Sequence, residues 1–214
     1  MGKVRFEITM ALDGYVAGPE QSEENPLGVG GEELHDWAVG LAAWRAPHGL
    51  EGGEVNESTP VVEESLANVG AGIMGRNMFG PTRGPWGDHP WQGWWGEDPP
   101  FHHPVFVLTH HAREPLEMKG GTTFIFVTDG IESAIAQARA AAGEKDVMVH
   151  GGGSVAQQSL SAGLVDEVQI HLVPVLLGAG VRLFEGLGDP PPQLEQVRSI
   201  AAPGVTHLTY RLMH

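Results

Sequence analysis

Cysteine is absent from this 214-residue chain, and with it go disulfides, thiol nucleophiles and thiolate metal sites. Long apolar runs are missing too. No stretch reaches about 18 consecutive apolar residues, so no membrane span is expected. The opening Met1-Gly2-Lys3-Val4-Arg5-Phe6 enters β-like alternation at once, without the hydrophobic region of a secretory leader. A cytoplasmic protein is the expectation. Cations are scarce, with 12 Lys and Arg against 27 Asp and Glu and a net charge of −15. That balance argues against nucleic acid or an anionic membrane as the main partner. An anionic ligand would need local positive groups, so every arginine beside a glycine turn matters.

What is present fits one globular domain over 1–214, since 41% of the residues are hydrophobic and the length supports a full core. The spacing predicts strands at 4–10, 72–74, 105–109, 123–127, 147–150, 167–173 and 206–212. Several are continuous apolar runs, as suits strands covered on both faces. Helical patterns lie between them. Leu34, Trp37, Ala38, Leu41 and Ala42 form an amphipathic stripe that predicts a first long helix. Thr59-Pro60 reads as an N-cap followed by a first-turn proline. Ile131, Ile135, Ala138 and Ala142 form a second stripe, opened by Asp129 and stopped by Gly143. A further helix carries Ala156 and Leu160 and ends at Gly163. The alternation predicts a three-layer α/β fold with a mostly parallel, mixed sheet. Residues 194–200 and 206–212, flanking Ala201-Ala202-Pro203-Gly204-Val205, predict a C-terminal antiparallel hairpin. There is no internal repeat.

Two irregular stretches interrupt this order. Residues 18–31 are rich in Gly, Glu and Pro. Residues 80–104 hold Trp86, Trp91, Trp94, Trp95 and Phe101 among prolines and glycines. So many aromatics do not suit a flexible linker. The loop is expected to fold against the body, line a pocket or enter a partner subunit.

The most informative segment is Val147-Met148-Val149-His150-Gly151-Gly152-Gly153-Ser154-Val155. A short β-type run meets three glycines and then a helix-compatible sequence. Glycines let backbone approach a bulky anion, and the new helix aims unpaired N–H groups and its positive dipole end the same way. This reads either as a pyrophosphate cradle or as a tight strand-to-helix turn without a ligand. It is not the Gly-x-Gly-x-x-Gly pattern of a Rossmann turn. Gly75-Arg76 similarly closes a strand and opens a helix. An arginine fork suits phosphate oxygens and stays charged; the alternative is that it caps its own helix or pairs with an acid.

Taken in order, Ile8-Thr9-Met10-Ala11-Leu12-Asp13-Gly14-Tyr15-Val16-Ala17-Gly18, the 72–79 segment around Gly75-Arg76, Pro104-Val105-Phe106-Val107-Leu108-Thr109 and the triple glycine resemble the dihydrofolate reductase-like superfamily. The likeness is closer to the branch shared with the reductase domain of riboflavin-biosynthesis deaminase–reductases. Residues 164–184 extend it over nearly the whole chain. The resemblance implies NADPH as cofactor. It implies that Arg76, beside Gly75, contacts the cofactor phosphates, and that Thr109, with Leu108 and His110, lies near the adenosine phosphate. The backbone of Gly151, Gly152, Gly153, Ser154 and Val155 would meet the pyrophosphate, while Val16 and Ala17 would touch the nicotinamide half. Tyr15 is placed to reach the reaction centre. The family's acid on the first long helix falls at Asp36, with Glu33 next.

The expected protein is thus an NADPH-dependent reductase passing hydride to a small heterocyclic or carbonyl-type acceptor, a pyrimidine of riboflavin synthesis being one candidate. The resemblance also implies a homodimer. Two other readings stay open: a nucleotide-binding module without turnover, and an interaction protein using the Trp-rich loop. His89, His102-His103 and His110-His111 do not predict a metal site, because adjacent strand residues point to opposite faces and no ligand framework accompanies them.

Overall fold

The computed structural model describes residues 2–81, 84–88 and 90–213. Its strands are β1 (Val4–Ala11), β2 (Tyr15–Ala17), β3 (Val69–Gly75), β4 (Pro104–Leu108), β5 (Leu116–Glu117) and β6 (Thr123–Val127). They continue with β7 (Asp146–Gly151), β8 (Glu167–Val173), β9 (Val181–Arg182), β10 (Gln193–Ala202) and β11 (Val205–Met213). The helices are α1 (Asp36–Val39), α2 (Ala42–Arg45), α3 (Thr59–Leu66), α4 (Arg76–Phe79), α5 (Ile131–Ala142) and α6 (Gly153–Ser161).

Among the described residues nine strands form one sheet in the order β10-β11-β8-β1-β7-β3-β4-β6-β5. The inner pairs, β8–β1–β7–β3–β4–β6, are all parallel. The apolar runs explain this, since Val105, Val107 and Phe124 are fully buried with helices or loops on either face. The C-terminal hairpin forms as its turn predicts, β10 pairing with β11 and β11 with β8, all antiparallel. A second, two-stranded sheet joins β2 to β9.

Alternation along β1 sorts the layers. Val4 and Phe6 pack with α5 and α6 residues such as Ile135, Ala138 and Leu160. Glu7 and Thr9 face the other way, Glu7 accepting from Ser65 of α3 and Thr9 accepting from Trp37 Nε1 of α1 at 3.3 Å. Helices therefore cover both faces.

The first long helix does not form as one element. A 3₁₀ turn (Gly31–His35) runs into α1, and Leu41 then turns extended before α2. The cause is tertiary. Ala42 N–H donates to the carbonyl of Glu54 at 2.9 Å, and Glu54 N–H donates to that of Gly40 at 2.8 Å, so backbone pairing replaces a helical turn. Ser58, not Thr59, is the N-cap of α3. Gly130, at φ 93°, precedes α5 in place of Asp129. Because β3, β4 and β7 run parallel, their carboxyl ends at Gly75, Leu108 and Gly151 meet along one edge of the sheet. Open α/β sheets bind ligands at such an edge.

Candidate active site

A cavity of about 730 Å³ occupies this edge. Every residue read from the sequence as cofactor-binding lines it. Gly75 and Arg76 come from the β3–α4 junction, Leu108, Thr109 and His110 from the end of β4. Gly151 to Val155 come from the β7–α6 turn, and Val16 and Ala17 from β2. Asp36 and Tyr15 do not line it. The Asp36 carboxylate is exposed, and the Tyr15 ring lies beneath the guanidinium of Arg182 at 4.4 Å. The side chain that enters the cavity from this region is His35.

The three glycines serve different ends. Gly151 sits at φ 115°, a conformation that L side chains rarely adopt. Gly153 lies under β2 and β9, where a Cβ would stand 2.6 Å from Val181 Cγ1 and 3.1 Å from Val16 Cγ2. Gly152 is different, because a Cβ there would meet nothing within 4 Å. Its backbone faces open space, next to the N–H groups that a helix start leaves without intrahelical partners. Gly75 closes on this turn, since a Cβ on it would touch Val155 Cγ2 at 3.0 Å and lie 3.8 Å from Gly152 N. The two glycine turns lie side by side, and the cavity opens over Gly152.

Arg76 extends along this wall. Its guanidinium carbon lies 3.1 Å from the centre of the Trp86 ring, and Nη1 donates to Thr109 Oγ1 at 3.5 Å. Thr109 Oγ1 also accepts from His111 N–H at 3.2 Å, which leaves its own O–H to donate. Trp86 is fixed through Nε1–H to the carbonyl of His111 at 2.9 Å. The described lining contains no Asp or Glu, so a locally cationic cavity sits inside a strongly acidic protein.

The Trp-rich loop packs against its own chain. Trp86, Trp91 and Trp95 lie on a cluster of Met74, Phe79, Val105, Val107 and Phe124. Trp91 Nε1–H donates to the carbonyl of Phe79 at 3.0 Å, while Trp94 and Trp95 reach the cavity wall. His89 lies outside the described residues. Among those described, no group of three or more His, Asp or Glu converges as metal ligands would.

A second cavity, of about 430 Å³, opens on the α3 face of the sheet and shares His150 and Met78 with the first. Burial, with His103 adding to it, pushes the His150 imidazole down to about 4. Its Nε2 is buried without a hydrogen-bond partner. Glu7 lines the same space. Burial opposes its ionisation, but the hydrogen bond and charge of His171, with Ser65 and Arg5, hold it below the usual carboxylate range. His171 Nε2–H donates to Glu7 Oε1 at 2.6 Å. Behind it, His171 and His207 share a hydrogen bond between their Nδ1 atoms at 2.7 Å, and His207 Nε2 bonds Ser58 Oγ at 2.9 Å. Burial, then His171, pushes His207 down to about 4. None of this chain was singled out from the sequence. The available signal was a lone carboxylate at an inward position of a strand that is otherwise largely apolar, and a His within β8.

A family model for the RibD C-terminal domain matches residues 2–208, so this chain belongs to that family. A protein from Shewanella sp. PV-4 described as a riboflavin biosynthesis protein superposes with a TM-score of 0.65 at 23% identity, over 99% of each chain. The Thermotoga maritima diaminohydroxyphosphoribosylaminopyrimidine deaminase/5-amino-6-(5-phosphoribosylamino)uracil reductase gives 0.61 at 15% identity. There 99% of this chain covers 57% of the bifunctional one. Enterococcus faecalis dihydrofolate reductase, in a complex containing NADP(H), gives 0.53 at 12% identity over 100% and 98% of the two chains. These likenesses establish a dihydrofolate reductase-like α/β fold. No curated protein matches the sequence significantly. No helix among the described residues is long and apolar enough to cross a membrane.

Proposed function

We propose that this chain is an oxidoreductase of the dihydrofolate reductase-like type, a single reductase domain that uses NADPH to reduce a small heterocyclic or carbonyl-type acceptor. The observation that carries this reading is the contact between the Gly75-Arg76 and Gly151–Val155 turns around an open cradle over Gly152. The residues present fit a diphosphate. They offer backbone N–H groups at the start of α6, a permanent guanidinium at Arg76, the Thr109 hydroxyl and no opposing carboxylate. When bound, NADPH would supply a hydride. Val16 and Ala17 would flank the ring end, and the adenosine phosphate would meet Thr109, His110 and Arg76. Leu27, Trp94 and Trp95 line the same cavity and would help to shield the reacting ends from water.

Titration with NADPH and NADH, followed by the loss of reduced-cofactor absorbance with a panel of acceptors, tests cofactor and turnover together. Tight NADPH binding with acceptor-dependent oxidation is expected; absence of nucleotide binding ends the reading. The lack of a carboxylate in the described lining favours a second reading, a nucleotide-binding module without turnover, for which binding without oxidation across the panel is the signature. The family resemblance further supports a homodimer, and sedimentation at several concentrations measures the assembly; the cysteine-free composition supports a cytoplasmic setting.

A further inference from the structure

The turn that breaks the expected first helix also delivers one titratable side chain to the nucleotide cavity. Gly30, at φ 75°, opens the 3₁₀ turn Gly31–His35, which packs against β1 and β2. Two neighbours pin His35 in place. Leu34 is fully buried with Ala11, Val173 and Val205, and Trp37 Nε1–H donates to Thr9 Oγ1 on β1. Glu32, Glu33 and Asp36 are exposed. His35 alone of these lines the cavity, together with Ile8 of β1 and Val16 and Ala17 of β2. Its Nδ1 is buried, so Nε2 is the ring nitrogen that can meet a bound molecule.

The other imidazoles of the cavity are less suited to proton exchange at the ring end. His110 and His111 directly follow Thr109, the residue whose hydroxyl Arg76 reaches. Burial drives His150 down to about 4, so it stays neutral near pH 7. Burial also pushes His35 below the ordinary 6.5, and His171 on β8 adds to this. The Gly31 carbonyl and the Asp36 carboxylate pull the other way.

We propose that His35 is the proton donor of the reduction, passing the proton on Nε2 to the heteroatom of the acceptor's C=N or C=O bond. This rests on the reductase reading, and it fills the role left open by a lining without carboxylates. The acceptor carbon gains hydride, with its electron pair, from NADPH, and the π pair moves to the heteroatom. That atom takes the proton as the imidazolium N–H bond breaks and leaves its electron pair on Nε2. The neutral imidazole takes its next proton from solvent. Only the imidazolium donates, so kcat/KM falls as pH rises through the folded value of His35, which lies below 6.5.

Two readouts test this, and the first needs no turnover. NADP⁺ carries one more positive charge on its nicotinamide than NADPH, and a nearby cation disfavours an imidazolium. NMR titration of the full chain with ¹³C-labelled histidine rings, saturated with either nucleotide, follows the imidazoles. The His35 signals are those lost in both His35→Gln and His35→Asn. They are expected to titrate at least about half a pH unit lower with NADP⁺ than with NADPH. The second readout is kinetic, with dihydrofolate, 5-amino-6-(5-phosphoribosylamino)uracil and the wider acceptor panel. His35→Gln is expected to lower kcat by roughly a hundredfold or more while moving the Kd for NADPH less than about threefold. It should also abolish the loss of kcat/KM with rising pH. A His35 titration identical with the two bound nucleotides overturns the assignment. So does an unchanged kcat or pH profile in either variant. Failure to bind nucleotide, or binding without oxidation across the panel, overturns the reductase reading instead.

Discussion

The guanidinium of Arg76 stacks on Trp86 with its central carbon 3.1 Å from the ring centre. The indole reaches this place from the Trp-rich loop, and its own N–H is held by His111. A cation on an indole face is worth about 0.5–2 kcal/mol. Trp86→Leu is therefore expected to raise the Kd for NADPH by roughly two- to thirtyfold while leaving the charge at position 76 intact. Fluorescence titration of the reduced cofactor measures it, and an unchanged Kd would show that the stack does not position Arg76.

Gly152 and Gly153 make a contrasting pair. Gly152→Asp meets no atom within 4 Å at its Cβ, so the thermal midpoint should stay near that of the parent. A carboxylate beside the cradle should nevertheless weaken NADPH at least tenfold, about 1.4 kcal/mol. Gly153→Ala drives a methyl to within 2.6 Å of Val181 Cγ1 and is expected to cost roughly 1–3 kcal/mol of stability, read by urea unfolding. Unchanged NADPH affinity in Gly152→Asp removes the diphosphate assignment.

Asp36 stands outside the cavity, exposed to solvent. A proton donor must come within hydrogen-bond reach of the reacting atom, directly or through one water. Asp36→Asn is expected to lower kcat by less than roughly threefold, against the 10²–10⁴-fold typical of a lost general acid. Steady-state kinetics with any turned-over acceptor decide it, and a hundredfold fall would restore Asp36 as the donor.

Acid should weaken the fold earlier than carboxylate chemistry alone predicts. His150 and His207 are each pushed to about 4 by burial, from an ordinary value of 6.5. Above pH 6.5 both are neutral in the folded and unfolded chain. Between pH 6.5 and 4 the unfolded chain takes up protons that the folded one refuses, so stability falls across that window. The loss reaches up to about 3 kcal/mol per imidazole. Glu7, held below its usual range, adds a further loss as pH drops through its folded value. Urea midpoints measured from pH 7.5 to 4.5 test this, and a flat profile contradicts it.

What the sequence revealed followed the range of the forces involved. The parallel core was legible because Val105 to Leu108 and Phe124 to Val127 write their two-sided burial into consecutive residues. The hairpin was legible because Pro203-Gly204 names its own turn. The glycine turns were legible as a pair because each closes a recognisable strand. The broken first helix was not, since Gly40 and Leu41 obey the backbone of Glu54, which lies across a loop. Nor was the small β2–β9 sheet, whose strands are too short to show a period. The Glu7–His171–His207–Ser58 chain draws on β1, β8, β11 and the cap of α3, so no local pattern could announce it. Asp36 was chosen by its place on an expected long helix, and the turn that replaces that helix presents His35 instead.

One strand, β7, ends up serving both chambers. Val147 and Val149 are core on one side, Met148 and His150 wall the second cavity on the other, and the next three residues form the cradle. Because side chains alternate at every position, inserting or deleting a single residue in this strand would disturb the hydrophobic interior and the walls of both cavities at one stroke. The cavities can therefore be reshaped by substitution at the α3 rim or in the aromatic loop, but not by sliding β7.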